Sequence, residues 1–198
     1  MQYLFEEVGS LDRRCYEQFH LTEDLLMEHA ADGIADYITA RFEAGSSVLI
    51  VCGPGNNGAD GIALGRLLHE NHDVRLVLPY GAKSPMCALQ LKRAEAVGVP
   101  LTDVIEEGDL IVDALFGTGL TKAFDTSSAA LMHTLNALNG FKIACDIPSG
   151  LHSDGTLEPE TFRADATLTM GALKRGMFSD AAKGYIGAIT VIDLGVAR

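Results

Sequence analysis

The chain is 198 residues long, 47% hydrophobic and 21% charged, with a formal net charge of −12. One folded α/β-sized domain spanning residues 1–198 fits that length and balance. The acidity excludes the broad basic face that non-specific binding to nucleic acid or an anionic membrane needs. It leaves room for one small anionic ligand held by backbone amides at a helix N-terminus.

No stretch is long and apolar enough to span a bilayer, and the start, MQYLFEEVGS, lacks the basic segment and apolar run of a signal peptide. A cytoplasmic location is the expectation. Cys15, Cys52, Cys87 and Cys145 are scattered with no C-x-x-C pair, which fits reduced, buried thiols.

In chain order, residues 10–43 carry apolar positions at spacings of three and four, broken near Thr22-Glu23-Asp24, which reads as a helix start; two helices are predicted. Val48 to Cys52 is a β-branched strand, and the pattern after Gly58 is helical. Strands are predicted at Val74 to Leu78, Val99 to Leu101 (short), Asp109 to Leu115, Lys142 to Cys145, Ala166 to Met170 and Ile189 to Leu194. Helices are predicted over 85–97 and 126–138. Strands alternating with helices argue a mainly parallel sheet with helices on both faces, a Rossmann-like three-layer α/β/α sandwich. Its ligand site belongs at the carboxyl ends of the strands.

Three Gly-rich loops follow strands there: CGPGNNGADG, DALFGTGL and CDIPSGLHSDG. The first contains Gly53, Gly55 and Gly58 in G-x-G-x-x-G spacing, the signature of a dinucleotide-binding turn. That signature wants an acidic residue about 20 positions on, at a strand's carboxyl end, to hold ribose hydroxyls. Asp73 has the spacing but precedes its strand, and Asp60 would repel a pyrophosphate at the loop. An ordinary hydride-transfer fingerprint therefore fails. Asn56, Asn57 and Asp60 either cap the helix that follows or serve a ligand; three polar groups in five residues exceed what capping needs.

Asp113 lies in an apolar strand, where a carboxylate is costly unless paired, metal-bound or hydrogen-bonded to a neighbouring loop. Asp146 heads the stiff turn Ile147-Pro148-Ser149-Gly150. Lys174 is either a phosphate contact or a surface lysine. His29 reads as a packing or capping residue, His152 as either near the site or solvent-exposed, and His69 with His72 as an exposed helix end.

GPGNNGADG, DALFGTGL and DIPSG, with LLMEHA early and TLTMGALKRG late, resemble the NAD(P)HX epimerases, the YjeF N-terminal domain family, from about Leu11 to Gly195. The resemblance implies a Rossmann-like homodimer that interconverts the R and S epimers of hydrated NADH and NADPH. It also implies a stand-alone epimerase, working with a separate ADP- or ATP-dependent dehydratase that repairs the S form. By matching motif, Asn56, Asn57, Gly58, Ala59 and Asp60 would contact the hydrated dinucleotide. Gly117, Thr118, Gly119, Leu120, Thr121, Lys122 and Ala123 would cradle its phosphates. Asp146 would contact the nicotinamide-derived ring as acid/base, and Asn57, Asp113 and Ser149 would bind one potassium ion. Oxygen-only ligands suit such a hard cation better than zinc. Two positions depart from the pattern: Ala59 replaces a glycine and Arg175 a proline. Ala59 either crowds the ligand or suits the helix start. The alternative function is a non-catalytic nucleotide-binding or scaffold module of the same fold, which would tolerate loss of Asp146 or of the potassium ligands.

Overall fold

The computed structural model describes Leu4, Phe5 and residues 9–196. In chain order the elements are β1 (Leu4–Phe5), α1 (Gly9–Gln18), α2 (Glu23–Thr39), β2 (Ser47–Cys52), α3 (Asn56–Leu68), β3 (Asp73–Val77) and α4 (Pro85–Ala96). They continue with β4 (Leu110–Ala114), α5 (Thr126–Ala137), β5 (Phe141–Cys145), β6 (Ala166–Met170), β7 (Leu173–Lys174), two short 3-10 turns and β8 (Ala188–Ile192).

The helix starts follow from local chemistry. Thr22 accepts the Leu25 amide at the head of α2, where Glu23 and Asp24 complement the helix dipole. Ser84 caps α4 with Pro85 in its first turn, and Asp125 caps α5. In the strands, apolar residues on both faces pack against covering helices, as a parallel sheet requires.

Six strands form one sheet in the order β3-β2-β4-β5-β6-β8, and every pair is parallel. On one face Ile34 and Ile38 of α2, Ile62 and Leu64 of α3, and Ala94 of α4 meet Ile50, Val112 and Ile143. On the other, Met132 and Leu135 of α5 meet Leu49, Val51 and Ile111. A third cluster, Ile147, Leu151, Met177, Ala182 and Ile186, underlies the segment after β5. The predicted three-layer α/β/α architecture is the one found.

Two elements differ from the sequence reading. Val99 to Leu101 is not a strand: Leu101 makes a single bridge to Leu76, and Pro100 contributes only its carbonyl, having no N–H to continue a ladder. The two-residue β1 pairs in parallel with β7, lengths at which no alternation pattern exists to be read.

The glycines of the first loop serve close packing of the backbone. A Cβ on Gly53 would lie 1.7 Å from the Leu115 carbonyl oxygen, and one on Gly58 1.8 Å from the Gly53 carbonyl oxygen. Around Gly55 there is nothing within 4 Å. Gly53→Ala is therefore expected to cost about 3 kcal/mol or more, whereas Gly55→Ala stays near neutral. Thermal melts of the two variants check this; equal midpoints would refute the packing role.

Candidate functional site

The strand order reverses between β2 and β4: β3 lies to one side of β2, and the chain then returns to its other side. The loops leaving β2 and β4 diverge there, opening the crevice in which ligands of doubly wound sheets bind. A cleft of about 1220 Å³ occupies this position. Asn56, Asn57, Asp60, the 117–122 stretch and Asp146 line it, and Tyr16 and Phe19 of the α1 region stand at its side. Asp73 begins β3 at the opposite end of the sheet, so the failed dinucleotide fingerprint fails in the structure for the reason the sequence gave.

At the head of α3 the N-cap is Gly55, with no side-chain cap. Asn56 and Asn57 lie inside the first turn, so neither they nor Asp60 caps the helix. The Asn56 amide donates to Glu23, tying α2 to the loop. Asn57, Asn56 and the Gly58 amide form a helix N-terminus whose first N–H groups have no acceptor within the helix, a partial positive charge facing the cleft. Gly58 and Ala59 lie below the lining: the Ala59 methyl is fully buried in the core cluster with Ile62 and does not crowd the cleft.

Asp113 and Ser149 are both fully buried beneath the cleft. The Asp113 carboxylate accepts the Ser149 amide at 2.7 Å, the Ser149 hydroxyl at 2.7 Å and the Leu115 amide at 3.1 Å. Ser149 Oγ in turn accepts the Phe116 amide at 2.9 Å. Burial pushes the Asp113 carboxyl up from 3.8 to about 6 against the opposing effect of these donors. The Asn57 side chain lies against the start of the loop after β4, since a Cβ on Gly117 would sit 3.3 Å from its Oδ1. Its Nδ2 is buried with no partner. Exchange of the two amide atoms would turn that orphaned donor into an acceptor in the same spot. Asn57, Asp113 and Ser149 carry amide, carboxylate and hydroxyl oxygens, donor types that fit a hard monovalent cation.

Asp146 follows β5 with φ of 69°, in the left-handed region, and Ile147 N–H closes a three-residue turn onto the Cys145 carbonyl at 2.8 Å. This is the rarer, strained form of γ-turn, and it aims a carboxylate at the cleft. Lys174 is neither a surface lysine nor free for phosphate. It is 2% exposed, and its ammonium is divided among Asp146 Oδ1, Thr169 Oγ1 at 2.6 Å and the Met170 carbonyl at 3.0 Å. Both sequence readings of Lys174 missed the need of a mostly buried Asp146 for a counter-ion, the one signal that would have found it. Met170 N–H also binds Asp146 Oδ1, at 3.2 Å, leaving Oδ2 for a ligand.

Burial raises the Cys145 thiol well above its ordinary range, helped by Asp60, Asp113 and Asp146 around it. All four cysteines are buried thiols outside any disulfide among the described residues.

Other positions fall as follows. His152 faces the loop after β4 and is not solvent-exposed in the main. His72 is a correction: it is buried at 5% exposure with neither ring nitrogen partnered, and burial lowers its pKa, so it is no exposed helix end. His29 bonds the Leu194 carbonyl at 2.7 Å, a packing role. Ala123 is exposed and does not line the cleft, and Arg175, itself exposed, opens a 3-10 turn whose Gly176 and Met177 are buried.

An all-parallel doubly wound sheet with a cleft at its switch point places the protein among Rossmann-like α/β ligand-binding domains. Residues 23–176 match the family described as YjeF-related protein N-terminus. The chain is 35% identical to an NAD(P)H-hydrate epimerase of Rhodopirellula baltica, across 96% of this chain and 83% of that one. It is 38% identical to a bifunctional NAD(P)H-hydrate repair enzyme of Helicobacter pylori, across 99% of this chain but 43% of that one. The chain belongs to the YjeF N-terminal, NAD(P)H-hydrate epimerase family. It spans about two fifths of the length of its bifunctional relatives in H. pylori and Dictyoglomus turgidum, at 43% and 40%. The crystal structure of yeast ynu0 shares the fold, with a TM-score of 0.79 at 19% identity over 96% of this chain and 87% of that one.

Asp113 dictates one pH effect. Its folded value, about 6, lies above the unfolded 3.8. Its contribution to stability is therefore whole below about pH 4 and lost as pH rises through 6, an effect of about 3 kcal/mol. In buffer whose only cation is tetramethylammonium, Asp113→Asn is expected to flatten the pH 4–6 segment of the stability profile, whatever it does to absolute stability. Parallel profiles for wild type and variant would refute the assignment.

Proposed function

We propose that the protein interconverts the R and S epimers of hydrated NADH and NADPH, an isomerase of nicotinamide nucleotide repair. The observation that carries this reading is Asp146: a carboxylate fixed by a strained turn and a buried lysine, with Oδ2 free at a cleft large enough for a dinucleotide. Membership of the epimerase family supports it.

The reacting carbon bears a hydroxyl beside the ring nitrogen. Asp146 relays a proton from solvent to that hydroxyl; the C–O bond breaks, water leaves, and the nitrogen lone pair forms the C=N bond of an iminium cation. The resulting carboxylate stabilises this cation across a water-poor floor. Water then adds to the planar carbon from either face and returns a proton to Asp146, so protons and oxygen balance over the cycle. The head of α3, with Asn56, Asn57 and Gly58, and the 117–123 loop would hold the rest of the dinucleotide. Lys122 and Arg14 at the cleft supply positive charge there. No helix among the described residues is long and apolar enough to cross a membrane. Repair would be completed by a separate dehydratase, and a homodimer is the assembly expected of the family.

One potassium ion would lie on Asn57, Asp113 and Ser149. It would supply a fixed positive charge under the cleft, offsetting the buried carboxylate and ordering the loops that carry its ligands.

Two experiments test these readings. With a mixed NADHX sample and a dehydratase specific for S, the R form should be consumed only when the protein is added. Asp146→Asn should slow this by at least 100-fold. No acceleration by the wild type in potassium buffer would favour the scaffold alternative, and full rate in Asp146→Asn would remove its acid/base role. For the ion, a hundredfold excess of potassium over its Kd adds about 2.7 kcal/mol of stability. The melting midpoint should therefore rise in potassium chloride over tetramethylammonium chloride at equal ionic strength, and should not rise in Asn57→Ala. A wild-type midpoint indifferent to potassium would rule out the ion.

A further inference from the structure

The loop after β4 carries the exposed residues Thr121, Lys122 and Ala123 between two anchor points, Leu120 and Phe124. Both anchors are gripped by one neighbouring segment. His152 Nδ1 lies 3.2 Å from the Leu120 carbonyl oxygen. The Phe124 amide donates to Glu158 Oε2 at 3.1 Å. His152 Nε2 and Glu158 Oε1 are joined at 2.8 Å, so the two grips form one unit. Among the described residues, no other hydrogen bond from outside the loop reaches Thr118 to Phe124.

The gripping segment is itself rigid. Residues 151–157 form a small two-sided turn closed by the Leu151–Leu157 bridge and by the His152 and Gly155 amides. Leu151 is buried with Ile147 and Met177, and the Glu158 amide bonds the Gly150 carbonyl at 2.8 Å. The side chains of His152 and Glu158 retain 19% and 10% of their exposure, so water competes poorly for these bonds. Each ring nitrogen of His152 faces an oxygen, Nδ1 the Leu120 carbonyl and Nε2 the Glu158 carboxylate. The His152 bond, with the Phe124 amide, holds the Glu158 carboxyl below its usual range. A charge-assisted pair of this kind is stronger than a neutral hydrogen bond.

We infer that His152 and Glu158 are a two-point strap that sets the shape of the 117–124 loop, and so position the phosphate groups of the substrate without touching a reacting atom. The strap rests on the reading above that this loop cradles phosphates. Of the residues between its anchors, Thr121 and Lys122 line the cleft, and theirs are the amides and the ammonium that the strap presents. Released from it, the loop must pay the entropy of ordering each time the dinucleotide binds.

The test compares two substrates, hydrated NADH and the hydrated form of reduced nicotinamide riboside, which has the reacting ring and no phosphate. Epimer interconversion is followed directly by chromatography. For His152→Ala the expected result is a tenfold or greater rise in KM for the dinucleotide with kcat within threefold, and unchanged kcat/KM for the riboside. Glu158→Gln, which keeps an acceptor for the Phe124 amide, should fall between wild type and His152→Ala. Equal losses on both substrates, or none on either, would overturn the strap; His152→Gln serves if the alanine variant melts early. Calorimetric binding of ADP-ribose, which has the pyrophosphate and no nicotinamide, reads the strap without any turnover. A tenfold weaker Kd in His152→Ala supports it, and an unchanged Kd overturns it. If the wild type binds ADP-ribose but epimerises neither substrate, the epimerase reading fails while the strap is still decided by this arm.

Discussion

The site depends on one buried carboxylate. Asp113 ends β4 with no exposure, and three donors from two loops converge on it: the Leu115 amide of its own loop, and the amide and hydroxyl of Ser149 from the loop after β5. Those bonds fix the relative position of two of the three loops that build the cleft. Ser149 extends the connection by accepting the Phe116 amide, so the start of the substrate loop is oriented through the same hydroxyl. Removing any one donor would strand part of a desolvated carboxylate, which costs more than the bond itself. The third loop joins by close packing: Gly53 lies against the Leu115 carbonyl, where a Cβ would clash with backbone, and Gly117 lies beside the Asn57 side chain.

From this junction the chemistry divides by depth. Asp113 stays buried beneath the cleft, whereas Asp146, on a left-handed backbone, lines it together with Asp60. Its strain is offset by a dense local network in which Lys174 and the Met170 amide both hold Oδ1. Such an arrangement fixes one oxygen and leaves the other to a ligand, the preorganisation that acid/base work on a developing cation requires.

Much of this was legible in the chain. The parallel sheet could be read because buried strands such as VLIVC and LIVDA are continuous apolar runs, and the helix starts because Thr22, Ser84 and Asp125 stand at their heads. Asp113 and Asp146 stood out as carboxylates in or beside apolar strands, a local contrast that needs no partner to be seen. What could not be read are pairings across sequence. Lys174 looks like any polar residue in GALKRG until it is placed under Asp146, 28 positions away. Glu158 carries no motif at all, yet joins Phe124, 34 positions earlier, to His152. His72 misled for the opposite reason: polar neighbours in HENHD suggested exposure, while the turn between α3 and β3 tucks its ring inside.

The opening G-x-G-x-x-G run gains a different meaning in this setting. If the cleft takes the proposed dinucleotide, a chain of net charge −12 must hold it against a negative field. The one deeply placed ammonium at the cleft, Lys174, is already consumed by three acceptors. Attraction for phosphate is left to groups that carry no net charge or stand at the rim: the uncapped amides at the head of α3, the amides of the 117–124 loop, and the Lys122 and Arg14 side chains. Backbone amides bind phosphate only if their directions are fixed beforehand, because each is a weak dipole that gains by convergence. Rigid loop geometry therefore has to do what charge does elsewhere. That requirement accounts for glycines packed against backbone, a buried carboxylate knitting two loops together, and a histidine–glutamate pair gripping the third stretch at both ends.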